Sequence, residues 1–246
     1  RVPFSLKIFL TALAIIDDLG AVLVIALFYT RSFSFLFLML ALALFTILLL
    51  LGRLRRSFLW IYLPAGLVLW YFLYRSGIHP TLSGILLAFA MPSGRGSNTA
   101  ASARLQHALH KPVNFFIVPL FALANTAIHL SSGWPSDLLH RNSLGIAFGL
   151  ILGKPLGIAG FTLLAVAMGI GRLPQGMNKW NLAALGQLAG IGFTMSIFIS
   201  NLAFISSPDE IRHSKIAILL ASLTAAILGF LFLKKTTRKD PLSALT

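Results

Sequence analysis

From Ile8 to Tyr29 the chain is apolar apart from small interruptions and two adjacent aspartates, Asp17 and Asp18. About 20 apolar residues suffice to cross a bilayer as a helix. A charge near the bilayer centre costs about 2.5–3.5 kcal/mol on insertion scales, so a pair of carboxylates there is expensive and marks a functional position. The competing reading is a soluble core helix with a satisfied acid pair. The rest of the chain argues against it: 57% of the 246 residues are hydrophobic and 11% are charged, where a soluble domain carries about 25% charged residues.

The hydropathy pattern predicts an all-α fold, a polytopic membrane helix bundle forming a single membrane domain over 1–246. Eight spans are expected at about 6–30, 34–52, 58–74, 79–92, 112–130, 143–169, 182–205 and 214–234. The fourth is the weakest, because Pro80 and Pro92 bracket a short apolar stretch. No β-barrel alternation is present. With these spans, 14 of the 20 Lys and Arg residues fall on one side and five on the other. The remaining one, Lys154, lies inside the sixth span. By the positive-inside rule the richer side is cytoplasmic, which puts both ends of this chain there. The net charge of +14 is spread between apolar runs rather than gathered in one patch. It therefore reads as lipid topology and not as a nucleic-acid surface. There is no cysteine, so disulfides play no part. The chain opens on Arg1 at the edge of a span with no signal peptide, and an N-terminal portion is expected to be absent.

Among the acids, only Asp17 and Asp18 fall inside spans; Asp137, Asp209, Glu210 and Asp240 fall in loops or the tail. Adjacent helix positions lie about 100° apart, so the two aspartates face different ways. One can meet Lys154 while the other faces a cavity. A static Asp–Lys bridge that only fixes packing is the plainer alternative, and it leaves the second aspartate over. That surplus charge is what a cation site needs, and hard cations prefer oxygen ligands. Lys154 sits beside Pro155, which removes a backbone donor and can bend the helix to aim the lysine. Glycines at 145, 149, 153 and 157 are expected to form a smooth face for close helix packing. In the seventh span Gly186, Gly190 and Gly192, with Gln187, Thr194 and Ser196 alongside, predict a helix interrupted near Gly190–Gly192. The fifth span carries Pro112, Asn114, Pro119, Asn125, Thr126 and His129. These residues suit either a cavity lining or helix-to-helix hydrogen bonds. The stretch from Ser93 to Lys111 reads as a loop without acids, carrying Arg95, Arg104, His107 and His110. Histidines there are candidates for pH sensing, or simply for contact with solvent and anionic headgroups.

Three segments in order, Ala14–Ala21 around Asp17-Asp18, Gly153-Lys154-Pro155-Leu156-Gly157-Ile158, and Gly190-Ile191-Gly192-Phe193-Thr194-Met195-Ser196-Ile197-Phe198, resemble NhaA-type bacterial sodium/proton antiporters. The resemblance covers essentially the whole chain. It implies an inverted-repeat antiporter fold and Na+ or Li+ export against H+ by alternating access across the cell inner membrane, in the service of pH homeostasis. Asp18 would be the principal cation ligand, with Asp17 paired to Lys154. Gly190, Gly192 and Thr194 would line the break, and Arg104, His107 and His110 would match a pH-sensing segment. The implied partners are Na+, Li+, H+ and the lipid bilayer; no cofactor, catalytic residue or nucleic acid is expected, and a homodimer stays open. Two departures stand out. The chain matches the last eight of about twelve helices, lacking the first four and the other broken helix. The acids many relatives carry before the two histidines are replaced here, with Gln106 in their place. A passive cation or proton channel, an intramembrane aspartyl protease and an inactive fragment are the rival readings. The protease needs its carboxylates opposed across two helices, whereas these are consecutive on one.

Overall fold

The computed structural model describes residues 3–28, 33–54, 59–92, 101–128, 134–174 and 176–237. Among them the secondary structure is helical with no strand. The helices are α1 (Phe4–Phe28), α2 (Phe35–Arg53), α3 (Leu59–Ser76), α4 (Leu82–Ala90), α5 (Ala101–Pro112), α6 (Val118–Thr126), α7 (Trp134–Asp137), α8 (Arg141–Phe148), α9 (Lys154–Ala167), α10 (Lys179–Ala189), α11 (Phe193–Ala203) and α12 (Pro208–Thr237). Wide π-turns at Val113–Ile117 and Gly149–Gly153 join α5 to α6 and α8 to α9.

Each of the eight expected spans falls on a helix. By length and composition alone, Phe4–Ile25, Phe35–Arg53, Arg141–Ala167 and Pro208–Thr236 qualify as membrane spans, and α10 with α11 makes a fifth if that bent pair is one span. The other three fall short for local reasons. The α3 helix carries Pro64 and has Arg75 in its last turn. The α4 helix has nine residues between its flanking prolines. The fifth opens on Pro112, the last residue of α5, and passes through the first π-turn into the nine residues of α6. The expected loop from Ser93 to Lys111 is corrected in part: from Ala101 onward it is helix, because nothing between Ala101 and Lys111 breaks a helix and Pro112 comes only at its end. Arg95 lies outside the described residues.

The chain divides into two compact units, Arg1–Asp18 with Asn125–Thr246, and Leu19–Ala124. In the second unit, α2, α3 and α4 pack on one another. Their cores are Leu48, Tyr62, Ala90 and Met91, and Ala41, Leu69 and Leu73. In the first unit, α12 is the central post: α8, α10 and α11 all pack on it, and α9 packs on α10. The buried face of α12 runs through Ser214, Ala217, Ile218, Ala221, Ser222 and Ala225. This is a stripe of mostly small residues at helical spacing, which lets neighbouring backbones come close. One turn further on, a Cβ at Gly229 would lie 2.7 Å from Leu188 Cδ2 and 2.9 Å from its backbone nitrogen. Asn178 caps α10, its side chain accepting from the backbone N–H of Trp180 at 2.9 Å and of Asn181 at 2.8 Å. The cap satisfies two of the first-turn donors that a helix otherwise leaves open.

Candidate functional site

Asp17 and Asp18 lie mid-way along α1, with no break in the helix around them. Lys154 Nζ donates to Asp17 Oδ2 at 2.5 Å, across 137 residues of sequence. The lysine side chain is 22% exposed and the aspartate 47%. The carboxylate is therefore engaged on one side and open on the other. Asp18, one position on, is exposed and, among the described residues, forms no hydrogen bond and no ion pair. The expected division between the two acids is present in the geometry: one is partnered by Lys154 and one is left over.

The backbone before Lys154 explains how its side chain is aimed. The N–H of Lys154 reaches back five residues to Gly149 O instead of four. Pro155, next in line, has no N–H to give and its ring would collide with the carbonyl four residues earlier. Widening the turn relieves that collision. The wide turn takes up one residue more than an α-turn, which resets by about 100° the face on which Lys154 emerges. It also deprives two carbonyls, Leu150 O and Ile151 O, of their usual helical donors, because one donor is redirected and the other is a proline.

The interruption expected at Gly190–Gly192 is present: α10 and α11 meet there at 47°. The break seats against the wide turn. A Cβ at Gly190 would lie 2.5 Å from Leu150 O, 3.0 Å from Gln187 O and 3.2 Å from Ala225 Cβ. A Cβ at Gly192 would lie 2.8 Å from Leu150 Cδ2 and would collide with Ser196 Oγ. One turn earlier, a Cβ at Gly186 would lie 3.1 Å from Pro155 O. The glycines of α10 and the break thus admit the backbone that carries Lys154. Thr194 is half-buried in the first turn of α11.

The expected close packing on Gly145, Gly149, Gly153 and Gly157 is not made by the described residues. Among them, a Cβ at 145, 149 or 157 would meet nothing within 4 Å, and one at 153 only Phe148 O of the preceding turn at 3.7 Å. The close seam is made from the other side, by Gly186 and Gly190. The Gly-Lys-Pro order was the available signal for the wide turn, and the four-residue spacing of Gly186 and Gly190 was the signal for the seam.

Asn201 Nδ2 donates to Asn125 Oδ1 at 3.0 Å, so this amide of the fifth expected span makes a helix-to-helix hydrogen bond. His129 lies outside the described residues. Arg104, His107 and His110 all lie on α5, in the second unit, with exposed side chains. The His110 ring is 3.4 Å from Asn114 Nδ2, one turn on.

Comparison with known proteins places the chain among sodium/proton antiporter relatives. The curated Na(+)/H(+) antiporter NhaA of Cytophaga hutchinsonii is 50% identical over 243 residues, covering 99% of this chain and 62% of the relative. The protein of the same name from Flavobacterium psychrophilum is 54% identical over 234 residues, covering 95% of this chain and 61% of its own length. That of Dechloromonas aromatica is 51% identical over 243 residues, with 98% and 62% coverage. The chain spans a little over three fifths of the length of these curated relatives. The family profile described as Na+/H+ antiporter 1 matches residues 1–233, and with the Asp-Asp pair, its lysine and the broken helix in place, the chain belongs to the Na+/H+ antiporter 1 family.

Proposed function

We propose that the protein exchanges Na+, or Li+, for H+ across the bacterial inner membrane as a secondary active transporter, with Asp18 as the principal cation ligand. The observation that carries this is the charge count at the site. Asp17 and Lys154 neutralise one another at 2.5 Å, and Asp18 has no ion pair among the described residues, so one negative charge is left over there. A single monovalent cation or a single proton balances it. Carboxylate oxygens are hard donors that suit Na+ and Li+.

In the resulting cycle, Na+ arriving from the cytoplasm displaces the proton from Asp18 and loosens the Asp17–Lys154 pair. The site then opens to the opposite side, where protons displace the ion. Broken helices in secondary transporters place free backbone dipoles at the midplane for such a site. Gly190, Gly192 and Thr194 are assigned that lining role. Arg104, His107 and His110 are assigned to pH sensing on the cytoplasmic side, where the excess of basic residues also puts both ends of the chain.

The test is Na+-dependent proton flux in inverted membrane vesicles carrying the protein. Asp18→Asn is expected to abolish the flux while leaving the protein in the membrane. Exchange retained in that variant, or absent from the parent, overturns the proposal. A current without an obligatory counter-ion would identify a passive channel instead.

A further inference from the structure

A second cluster of ionisable side chains lies in the first unit, away from the aspartate pair. Asp137 ends α7, His140 precedes α8, and His213 sits in the second turn of α12. Asp137 and His213 are each 7% exposed, while His140 is open to solvent. One ligand-capable atom from each of the three lies within 4.8 Å of the other two. The two imidazole rings stack at 4.3 Å with 19° between their planes. His213 Nε2 is 3.3 Å from Asp137 Oδ1. That is long for a charge-assisted hydrogen bond, which runs about 2.7–2.9 Å. It is, however, the separation of two ligands held at about 2.0–2.1 Å around a tetrahedral ion. Asp137 Oδ2 and His213 Nδ1 are buried with no hydrogen-bond partner among the described residues. Two such orphaned atoms on adjacent buried groups are costly.

The frame around them is built. Ser143 Oγ donates to Asp137 O at 2.7 Å, and it lies 3.4 Å from His213 O. Asn142 Nδ2 donates to Glu210 Oε2 at 3.0 Å and to Ser214 Oγ at 2.8 Å. Arg212 is the competing cation, with Nε 3.6 Å from Asp137 Oδ2 and its guanidinium 3.3 Å from His213 Nε2. It is also 3.6 Å from Asp209, so it can turn outward without losing an ion pair. The charged groups joined by these contacts are Asp137, Asp209 and Glu210 against Arg212, an excess of two negative charges with the histidines neutral.

We propose that Asp137, His140 and His213 form a binding site for a divalent transition-metal ion of the Zn2+ class. Two imidazoles and one carboxylate select such ions over Mg2+ or Ca2+ and leave a fourth position for water. The ion ties the start of α8 to α12. Because α8 runs through the wide turn into Lys154, and α12 packs on both α8 and that turn, metal binding stiffens the mount of the lysine.

The experiment is a Co2+ titration of the purified, chelator-treated full chain in detergent, read by its visible d–d absorption, with Zn2+ displacement and elemental analysis for stoichiometry. One ion per chain is expected, together with a Tm that climbs with the logarithm of free Zn2+ and does not respond to Mg2+. His140→Ala, an exposed position with little folding risk, is expected to abolish the bands and the Tm response while its metal-free Tm stays at the parent value. His213→Gln is expected to do the same to the bands. His107→Ala with His110→Ala, on the exposed face of α5, is expected to leave both signals intact. Absence of the Co2+ bands in the parent, their persistence in His140→Ala, or their loss on removing His107 and His110 overturns the proposal.

Discussion

Alanine substitution at two glycines of the first unit is expected to move stability in opposite directions. At Gly190 the new methyl would stand 2.5 Å from Leu150 O, 3.0 Å from Gln187 O and 3.2 Å from Ala225 Cβ. Two of these are backbone oxygens on different helices, so neither can swing aside as a flexible side chain would. The wide turn or the break must move, and overpacking of this kind costs about 1–3 kcal/mol. At Gly157, inside α9, the methyl would meet nothing within 4 Å among the described residues. The substitution there only restricts the unfolded chain and improves helix propensity, a gain of roughly 0.5–1 kcal/mol. For a chain of this size each kcal/mol corresponds to about 2–4 °C in Tm. Gly190→Ala is therefore expected to lower Tm by roughly 2–12 °C and Gly157→Ala to raise it by roughly 1–4 °C. Gly186→Ala, with its nearest contact at 3.1 Å to Pro155 O, falls between them. The measurement is thermal unfolding in detergent followed by circular dichroism. If Gly157→Ala destabilises as strongly as Gly190→Ala, the seam lies on the glycine row of α8 and α9 and the packing argument is wrong.

Asn178→Ala removes the cap of α10 and is expected to cost about 1 kcal/mol, read as a fall in the same unfolding curve. Ser143→Ala leaves the buried Asp137 carbonyl without its 2.7 Å donor and is expected to cost about 1–3 kcal/mol; an unchanged Tm would mean that water replaces the hydroxyl. Lys154→Gln removes the cation beside Asp17 and is expected to shift the pH dependence of Na+-dependent proton flux while moving Tm less than Gly190→Ala does. Loss of folding with unchanged ion affinity in that variant would make the pair a packing strut.

The Asp17–Lys154 partnership was legible in the sequence because charges inside apolar spans are few, and few candidates leave little choice of partner. The break at Gly190–Gly192 was legible from glycine density within one span. The packing seam was not. Glycine spacing reports where a backbone can be approached and does not say whether another helix arrives, and the row from Gly145 to Gly157 and the pair Gly186 and Gly190 look alike on that criterion. The helical start of α5 was hidden by its polarity, since His107, His110 and Lys111 read as loop in a chain where apolarity is the main signal. The Asp137, His140 and His213 cluster depends on α12 returning beside the α7–α8 turn, 73 residues later in the chain, and no local pattern announces that meeting.

The wide turn at Gly149–Gly153 also bears on how chain length can vary. Such a turn is one residue in surplus over an α-helix. Deleting a single residue there would leave the faces of α8 and α9 in phase, with Lys154 still directed at Asp17, at the cost of a bend where Pro155 again meets the carbonyl four residues earlier. The same deletion anywhere else between Arg141 and Lys154 would turn the downstream helix by about 100° and carry the lysine away from its partner. Val113–Ile117 offers the same tolerance ahead of Pro119. Single-residue gaps among relatives should therefore gather at these two places, ahead of the prolines, and be rare along the rest of each helix.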